Sequence, residues 1–278
     1  MRKLLNSEIQ HIFKSNLFWL EILFFIGFSA FIVMVNYSPA VQSSESLIYL
    51  DDIFFNFYQM MAFAFAICIS ITVGTEYSDG VIRNKLIVGH TRRNLYFSTL
   101  LLHTAVSFLM IVIHGVVSYG LGYVLFGGFQ MEFSRLVYII ACSALANFVF
   151  VALFVSISMN GSNKSVTVVV TMVLYIAILY LTSFVGTRLS AEEMIYDGIQ
   201  IFADGTMQLG ELIKNPNYVS GMTRTVLEYI YDLIPAGQII QMQSDKFVPC
   251  VRFPVLSTVL IVLNMAVGYL LFRKKDIK

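Results

Sequence analysis

The sequence predicts an all-helical integral membrane protein with six spans, and its composition and apolar runs lead to that prediction. Of its 278 residues, 58% are hydrophobic and 13% are charged, whereas soluble domains carry about 25% charged residues. The apolar residues fall into long runs, and about 20 of them suffice to cross the roughly 30 Å hydrocarbon core as a helix. Because lipid offers no hydrogen bonds to the backbone, each run is expected to be helical. The predicted spans cover residues 18–35, 53–73, 100–126, 136–156, 166–184 and 255–272.

The distribution of lysine and arginine predicts the orientation. These residues concentrate before span one, between spans two and three, and after span six, whereas only Arg135 lies between spans three and four. Under the positive-inside rule, both termini are therefore expected in the cytoplasm. The net charge of +1 gives no reason to expect nucleic acid as a partner.

The sequence contains no recognisable catalytic, metal-binding or cofactor-binding motif. The cysteines Cys68, Cys142 and Cys250 are odd in number and far apart, and two of them lie inside apolar runs, so neither a disulfide framework nor a zinc site is expected. The turn at 160–165 lacks the first glycine and the preceding strand of a phosphate loop. Neither H-E-x-x-H nor G-x-S-x-G occurs. We therefore expect a protein that is not an enzyme and binds neither metal nor cofactor.

An amphipathic helix is expected over residues 1–16. Its apolar residues share about half of a helical wheel, and polar residues occupy most of the other half. The apolar set comprises Leu4, Leu5, Ile9, Ile12 and Phe13. This pattern favours a helix lying in the cytoplasmic membrane interface, in contact with lipid headgroups. A simple cytoplasmic extension is the alternative.

The segment 74–99 is the most informative loop. Asp79 is expected to cap a short helix reaching Val88, and Gly89 to end that helix in the left-handed conformation. Thr91 is expected to cap the next helix, which continues into span three. Such a short, basic, amphipathic helix suits docking to a partner. The alternative is a solvated basic loop that only satisfies the topology.

The segment 185–253 is too long for a plain loop, so further structure is expected there. One helical pattern includes Ile195, Ile199 and Phe202. The second pattern consists of Val226, Leu227, Ile230, Leu233 and Ile234. Together they predict a helical cap on the outer membrane surface. Re-entry of part of this cap into the bilayer is left open.

Polar residues inside the predicted spans are functional candidates by default. His103 and His114 share one stripe of span three, about 16 Å apart along the helix axis, which is too far to bind one metal ion. One interpretation is functional, with the histidines in a proton relay or in contact with a polar substrate. The other is that both are neutral, hydrogen-bonded side chains facing the interior of the bundle. Glu21 either reaches water and a nearby cation or serves transport. Asn147 and Asn264 are interhelical donors or substrate ligands.

Span two carries a ladder of small residues. Ala62, Ala66, Ser70 and Gly74 recur every four residues, which lets another helix approach closely. That helix is expected either within the chain or in a second subunit.

Four stretches of the chain carry a resemblance to a known family. They read MRKLLNSE at 1–8 leading to KSNLFW at 14–19, GTEYSDGVIRNKLIVGHTRR at 74–93, YDLIPAGQ at 231–238, and FRKKD at 272–276. With the six-span order, they resemble the permease subunits of type-2 ABC exporters, in the subgroup of small bacterial permeases linked to peptide or drug export. The stretch at 74–93 is the most specific, and the likeness covers essentially the whole chain.

The resemblance implies that the chain works in the bacterial cytoplasmic membrane as part of a complex with other subunits. The loop after span two would form a coupling helix that docks onto a separate ATP-binding subunit. That role would fall on Glu76, Asp79, Gly80, Arg83, Lys85 and Arg92. Two permease chains, identical or similar, would enclose one pathway for an amphipathic peptide or a lipophilic drug. The segment 185–253 would form extracellular helices that gate the exit, and ATP hydrolysis would occur on the partner.

Three other classes remain as alternatives. A proton-driven secondary transporter would use Glu21, His103 or His114, and it predicts spans broken by Gly/Pro pairs with carboxylates at the bilayer midplane. The sequence shows neither feature. A membrane-embedded enzyme would need a nucleophile and base within the spans. A structural or sensory subunit is the third alternative.

Overall fold

The computed structural model describes residues 2–37, 49–201, 207–244 and 247–276. Within them, six helices are long and apolar enough to cross a membrane, which identifies a multi-pass membrane protein and confirms the all-α bundle. The helices are α1 (Arg2–Lys14), α2 (Asn16–Asn36), α3 (Leu50–Phe54), α4 (Asn56–Ser78), α5 (Val81–Ile87), α6 (Arg92–Phe126), α7 (Phe133–Asn160), α8 (Lys164–Ser190), α9 (Gly221–Leu233), α10 (Pro235–Gln243) and α11 (Arg252–Lys274). The six spans are α2, α3 with α4, α6, α7, α8 and α11.

The second and fourth spans form the centre of the bundle. In each of them 61% of the most apolar window is buried, compared with 17% for α11. The side chains of Phe150 and Phe154 on α7 pack edge-on against Tyr175 of α8, with ring centroids 5.4 and 6.3 Å away. The outer spans therefore leave broad apolar faces exposed, as expected of helices that contact lipid.

Several helix ends follow the local sequence. Thr91 Oγ1 accepts a hydrogen bond from Asn94 N at 3.2 Å and caps α6, as predicted. Gly89 has φ of 99° just after α5, which confirms the predicted left-handed end. The predicted cap by Asp79 is wrong, because Gly80 at φ 67° occupies the N-cap position of α5 and no side chain caps that helix. Asp79 instead ends α4, and the following glycine permits the sharp turn.

The small-residue ladder of the second span packs within the chain. Ser70 Oγ lies 2.7 Å from Thr171 Oγ1 of α8. A Cβ atom on Gly74 would come within 3.0 Å of Lys164 Cα. Ala62 and Ala66 are fully buried on the same face. The close approach that the ladder permits is therefore between α4 and α8 of one molecule.

The segment after α8 differs from its prediction. It begins with an antiparallel hairpin in which β1 (Met194–Tyr196) pairs with β4 (Leu212–Lys214), and β2 (Ile199–Ile201) pairs with β3 (Met207–Leu209). The predicted helix through Ile195 and Ile199 is wrong, and Phe202 lies outside the described residues. Gly198, at φ 81°, sits between β1 and β2 and is incompatible with a continuous helix there.

The second half of that segment agrees with its prediction. The predicted apolar pattern falls on α9, and Ile234 is the C-cap of that helix. Pro235 then starts α10 at a position where its missing N–H removes no helical hydrogen bond. The fully helical cap is thus corrected to a hairpin followed by two short helices.

Polar contacts also join α6, α7 and α11. Tyr96 Oη of α6 lies 2.8 Å from Ser156 Oγ of α7, and Ser156 Oγ donates to Asn264 O of α11 at 3.0 Å. Asn160 Nδ2 donates to Gly268 O of α11 at 3.1 Å. A side chain on Gly268 would overlap Ser156 and Tyr96. The three helices therefore meet closely along a shared seam.

Candidate functional site

The helix α1 buries one face against the bundle. Leu4 and Ile12 are buried, and Glu8, four residues from each and on the same face, is only 3% exposed. Glu8 is not among the site residues predicted from the sequence, although a carboxylate in the middle of an apolar arc was the available signal. Met1 lies outside the described residues, as do the side chains of Arg2 and Lys3, and the interfacial placement of α1 stays a prediction.

A single lysine connects α5 to two other helices. Lys85 Nζ lies 3.1 Å from Glu8 Oε1 on α1 and 3.0 Å from Glu76 Oε2 on α4. Ser98 Oγ of α6 donates to the same oxygen of Glu8 at 3.1 Å. The three charged side chains are mostly buried, with 15%, 2% and 12% exposed for Lys85, Glu8 and Glu76 respectively. We call this arrangement the Lys85 bridge.

The environment of Glu8 is electrostatically mixed. Burial raises the pKa of its carboxyl above the usual 4.5, while the Lys85 ammonium lowers the pKa and the Glu76 carboxylate raises it again. Its second oxygen, Oε2, has no hydrogen-bond partner among the described residues. Removal of the lysine would leave two carboxylates facing each other in a buried place, which is costly.

Arg92 is also held within the molecule. Its Nη1 donates to Phe272 O at 3.0 Å and to Arg273 O at 3.2 Å, and it also contacts Lys275 O. These carbonyls form the end of α11, where the helix dipole favours a cation. Arg92 therefore fixes the start of α6 to the end of α11.

Lys275 makes a similar contact just beyond α11. Its Nζ donates to Gly161 O at 2.7 Å and to Met159 O at 3.2 Å, and lies 3.8 Å from the centre of the Tyr77 ring. Burial lowers the pKa of this ammonium from 10.5 to about 8. The chain end after α11 is thus attached to the turn between α7 and α8.

One part of the segment 74–99 faces outward. Asp79 and Arg83 are exposed, and the apolar side chains of Ile87 and Val88 are 71% and 79% exposed. Ile82, on the opposite side of α5, is only 2% exposed and packs inward. We call four exposed residues the outward face of α5: Arg83 and Ile87 on the helix, Val88 at its end, and Asp79 just before it.

The second span is interrupted at Phe55, between α3 and α4. Four backbone carbonyls beside this break accept hydrogen bonds from other parts of the chain. They are Phe54 O from His114 at 3.0 Å, Phe55 O from Gln243 at 3.1 Å, Tyr58 O from Asn147 at 3.2 Å, and Gln59 O from the Tyr175 hydroxyl. Side chains thus serve the carbonyls of Phe54 and Phe55 at the break itself and two further carbonyls in the first turn of α4.

His114 is surrounded on every side by partners. A carbonyl only accepts, so the contact with Phe54 O places a proton on Nε2. Its Nδ1 lies 2.9 Å from Ser29 Oγ and 3.1 Å from Ser118 Oγ. The rings of Phe54, Phe57 and Tyr58 pack around the imidazole. These contacts favour the neutral, hydrogen-bonded role over substrate contact.

His103 has a different environment on the same helix face. It lines a small cavity with Glu21, Cys68 and Ser107, and the cavity has room for about one water molecule. Glu21 is 7% exposed and His103 is 6% exposed. Among the described side chains, no cation pairs with Glu21. The structure therefore brings Glu21 and His103 to one cavity and leaves His114 outside it.

The two asparagines act differently. Asn147 donates to Tyr58 O of another span and to Ser143 O of its own helix. The Asn264 side chain donates within α11, to Leu260 O at 2.9 Å. Of these two, Asn147 alone links helices through its side chain. Among the described residues, no group of three His, Cys, Asp or Glu side chains is placed to hold a metal ion.

The sequence was also compared with known proteins. No protein-family model matches the chain, and no curated protein matches it. Assignment of a function therefore depends on the residues and on the geometry of the site.

Proposed function

We propose that this chain is the membrane-spanning permease subunit of an ATP-driven exporter, and that the outward face of α5 docks onto a separate ATP-hydrolysing subunit. The resemblance of residues 74–93 to type-2 ABC permeases supports this function. The single observation that carries the proposal is the exposure of Ile87 and Val88 beside charged residues on a helix tied firmly to the bundle. Both termini would lie in the cytoplasm of a bacterium, as the charge distribution predicts.

The outward face combines two properties that suit docking. Burial of the apolar side chains of Ile87 and Val88 against a partner would contribute about 25 cal/mol for each Å² of apolar surface removed from water. The exposed side chains of Asp79 and Arg83 would fix the orientation of the partner through charge complementarity. The Lys85 bridge would then transmit displacement of α5 to α1 and α4, because all three helices share one buried ion cluster.

The sequence-based coupling residues then divide into two roles. Asp79 and Arg83 would contact the partner, and Gly80 would allow the turn that presents them. Glu76, Lys85 and Arg92 would instead keep α5 and the adjacent helices together, since their charged groups contact this chain. Two permease chains would enclose the pathway for an amphipathic peptide or lipophilic drug. Energy would enter as a shift between inward-open and outward-open populations driven by nucleotide on the partner.

The test requires an ATP-hydrolysing partner with a complete phosphate loop, to be sought in the neighbouring reading frame. The chain is co-expressed with that partner and reconstituted in lipid nanodiscs. Substitution Val88→Asp is expected to abolish co-purification and the stimulation of ATP hydrolysis, while membrane insertion and thermal stability remain. Val251→Asp is the matched control, because that valine is 78% exposed in a different loop. Unchanged stimulation in Val88→Asp, or export by the purified chain without ATP, would contradict the proposal.

A second candidate function is proton-coupled transport, and the cavity shared by Glu21 and His103 favours it. The break at Phe55 does not belong to that cavity, since Phe65, which lines it, lies about 15 Å further along the second span. The distinguishing measurement is solute uptake into liposomes under a pH gradient without ATP. Uptake that disappears in Glu21→Gln would establish this alternative, and absence of uptake in the unaltered chain would exclude it.

A further inference from the structure

An apolar groove lies between α6, α7 and α11, away from the outward face of α5. It encloses about 430 Å³, within the range of roughly 300–1,000 Å³ typical of small-molecule sites. Its walls are largely apolar and include Phe97, Leu101, Phe148, Ile261 and Met265. We call it the α6–α11 groove.

The groove has a positively charged end. Arg93 and Asn94 line it at the start of α6, and no acidic residue is among its described lining residues. Because Arg92 contacts the carbonyls at the end of α11, the exposed cations Arg273 and Lys274 lie at the same end of the bundle. An anionic group would therefore be attracted to this end, while the rest of the groove offers only apolar contact and the hydroxyl of Thr104.

The length of the groove fits one leaflet of a bilayer. From Arg93 to Thr104 the helix α6 advances eleven residues, or about 16 Å at 1.5 Å per residue. Half of the roughly 30 Å hydrocarbon core is about 15 Å. Arg93 is thus placed at headgroup level when the apolar walls of the groove are placed within the acyl region.

We propose that the α6–α11 groove binds one anionic phospholipid, with an acyl chain between the three helices and its phosphate on Arg93 and Asn94. The seam between Tyr96, Ser156 and Asn264 holds the groove walls in place, so the site is formed before the lipid arrives. This lipid site is independent of the proposed transport function.

A second copy of the chain fits this groove less well than a lipid. Two copies inserted in the same direction would pack about an axis along the membrane normal, which brings equivalent levels of the two chains together. Arg93, Arg273 and Lys274 would then face the same cations of the other copy. Like charges at an interface are unfavourable, whereas a phosphate complements them.

The experiment measures lipid binding to the purified chain by native mass spectrometry in a mild detergent. Phosphatidylglycerol and phosphatidylcholine with identical acyl chains are titrated separately. Phosphatidylglycerol is expected to bind about five-fold more tightly, which corresponds to roughly 1 kcal/mol for one cation near an anionic headgroup. Substitution Arg93→Gln is expected to remove most of that preference, while Arg83→Gln, the exposed arginine of α5, keeps it.

A second variant tests the groove itself. Thr104→Trp is expected to weaken binding of both lipids, because the indole fills the far end of the groove, and thermal stability of each variant serves as the folding control. Equal affinity for the two lipids, or an unaltered preference in Arg93→Gln, would overturn the proposal. Unchanged lipid binding in Thr104→Trp would overturn it as well. Complete competition by inorganic phosphate would also contradict it, as would a dimer that dissociates when Arg93 or Thr104 is substituted.

Discussion

The charged residues between the second and third spans belong to two regions with opposite surroundings. Glu76, Lys85 and Arg92 contact α1, α4 and α11 and are largely withdrawn from solvent. Asp79 and Arg83, in the same short stretch of sequence, are exposed. The first group holds the helices together, and the second group is free to meet another molecule. Charge alone therefore does not identify a docking residue, and the direction of each side chain decides its role.

This difference also changes which substitutions are informative. Loss of transport in a Glu76 variant would not distinguish a broken coupling contact from a loosened bundle, because Glu76 belongs to the Lys85 bridge. Loss of transport in an Arg83 variant that remains folded would instead indicate a broken coupling contact, because Arg83 is exposed. Four predictions follow the same contrast from the largest expected effect to the smallest; three test the two groups, and one concerns Lys275, which is also held within the molecule.

Substitution Lys85→Met should cause the largest loss of stability. It leaves the carboxylates of Glu8 and Glu76 close together without their cation, and breaking a buried pair costs about 3–5 kcal/mol. The measurement is denaturant-induced unfolding in detergent. The double variant Glu8→Leu/Lys85→Met should recover part of the loss, because it removes the more deeply buried carboxylate and its repulsion with Glu76, although Glu76 still lacks its cation. A loss below about 1 kcal/mol, typical of exposed ion pairs, would show that the bridge is not structural.

Substitution Arg92→Leu should have an intermediate effect. It removes a charged donor from the carbonyls that end α11, and a hydrogen bond to a charged group contributes about 1.5–3 kcal/mol. Hydrogen exchange of the last turn of α11 should accelerate as well. The control is Arg83→Leu, which alters an exposed arginine of the same segment. Equal losses in both variants would remove the distinction between the two groups.

A smaller, pH-dependent effect is expected from Lys275. Burial lowers the pKa of its ammonium from 10.5 to about 8, so the unfolded chain binds more protons than the folded chain between those values. Stability should therefore rise as the pH increases from about 8 towards 10.5. Thermal unfolding across this range measures the rise, and Lys275→Met should reduce it. An identical rise in that variant would assign the effect to other groups.

Substitution Arg83→Gln should have the smallest effect on stability, within about 0.5 kcal/mol, as is usual for exposed positions. Under the proposed function it should nevertheless lower the stimulation of ATP hydrolysis by the partner. Thermal unfolding and ATPase measurements on the same preparation separate the two effects. If Arg83→Gln clearly lowers stability but leaves the stimulation of ATP hydrolysis unchanged, then Arg83 belongs with the residues that hold the helices together.

Much of the fold could be predicted because its strongest signal is local. Uninterrupted apolar runs locate all six spans, although some helices extend well beyond them: α6 begins at Arg92 rather than at residue 100, and α8 ends at Ser190 rather than at residue 184. Thr91 and Gly89 mark helix ends by their own chemistry. The Lys85 bridge was not predictable in this way, because Glu8 lies 77 residues from Lys85 in sequence. The break at Phe55 has no proline or glycine to announce it, and its hydrogen-bond donors come from distant helices. The hairpin beyond α8 was missed because isoleucines spaced by four also fit alternating strands.

The two histidines of α6 show the same limit within one stripe. Periodicity correctly placed both on a buried face, since His103 is 6% exposed and His114 is 1% exposed. It could not show that His114 binds serines and a carbonyl, whereas His103 borders a cavity with Glu21. A helical wheel gives direction but not the identity of the neighbour.

The interruption at Phe55 has a consequence for biosynthesis. The donors that serve its neighbouring carbonyls reside on His114, Asn147, Tyr175 and Gln243, all of which leave the ribosome after the second span. When that span first enters the bilayer, its end near Leu50 therefore lacks the groups that complete it. That end matures only once later segments have been inserted and docked, so truncated nascent chains should expose it to the insertion machinery for longer than the rest of the span.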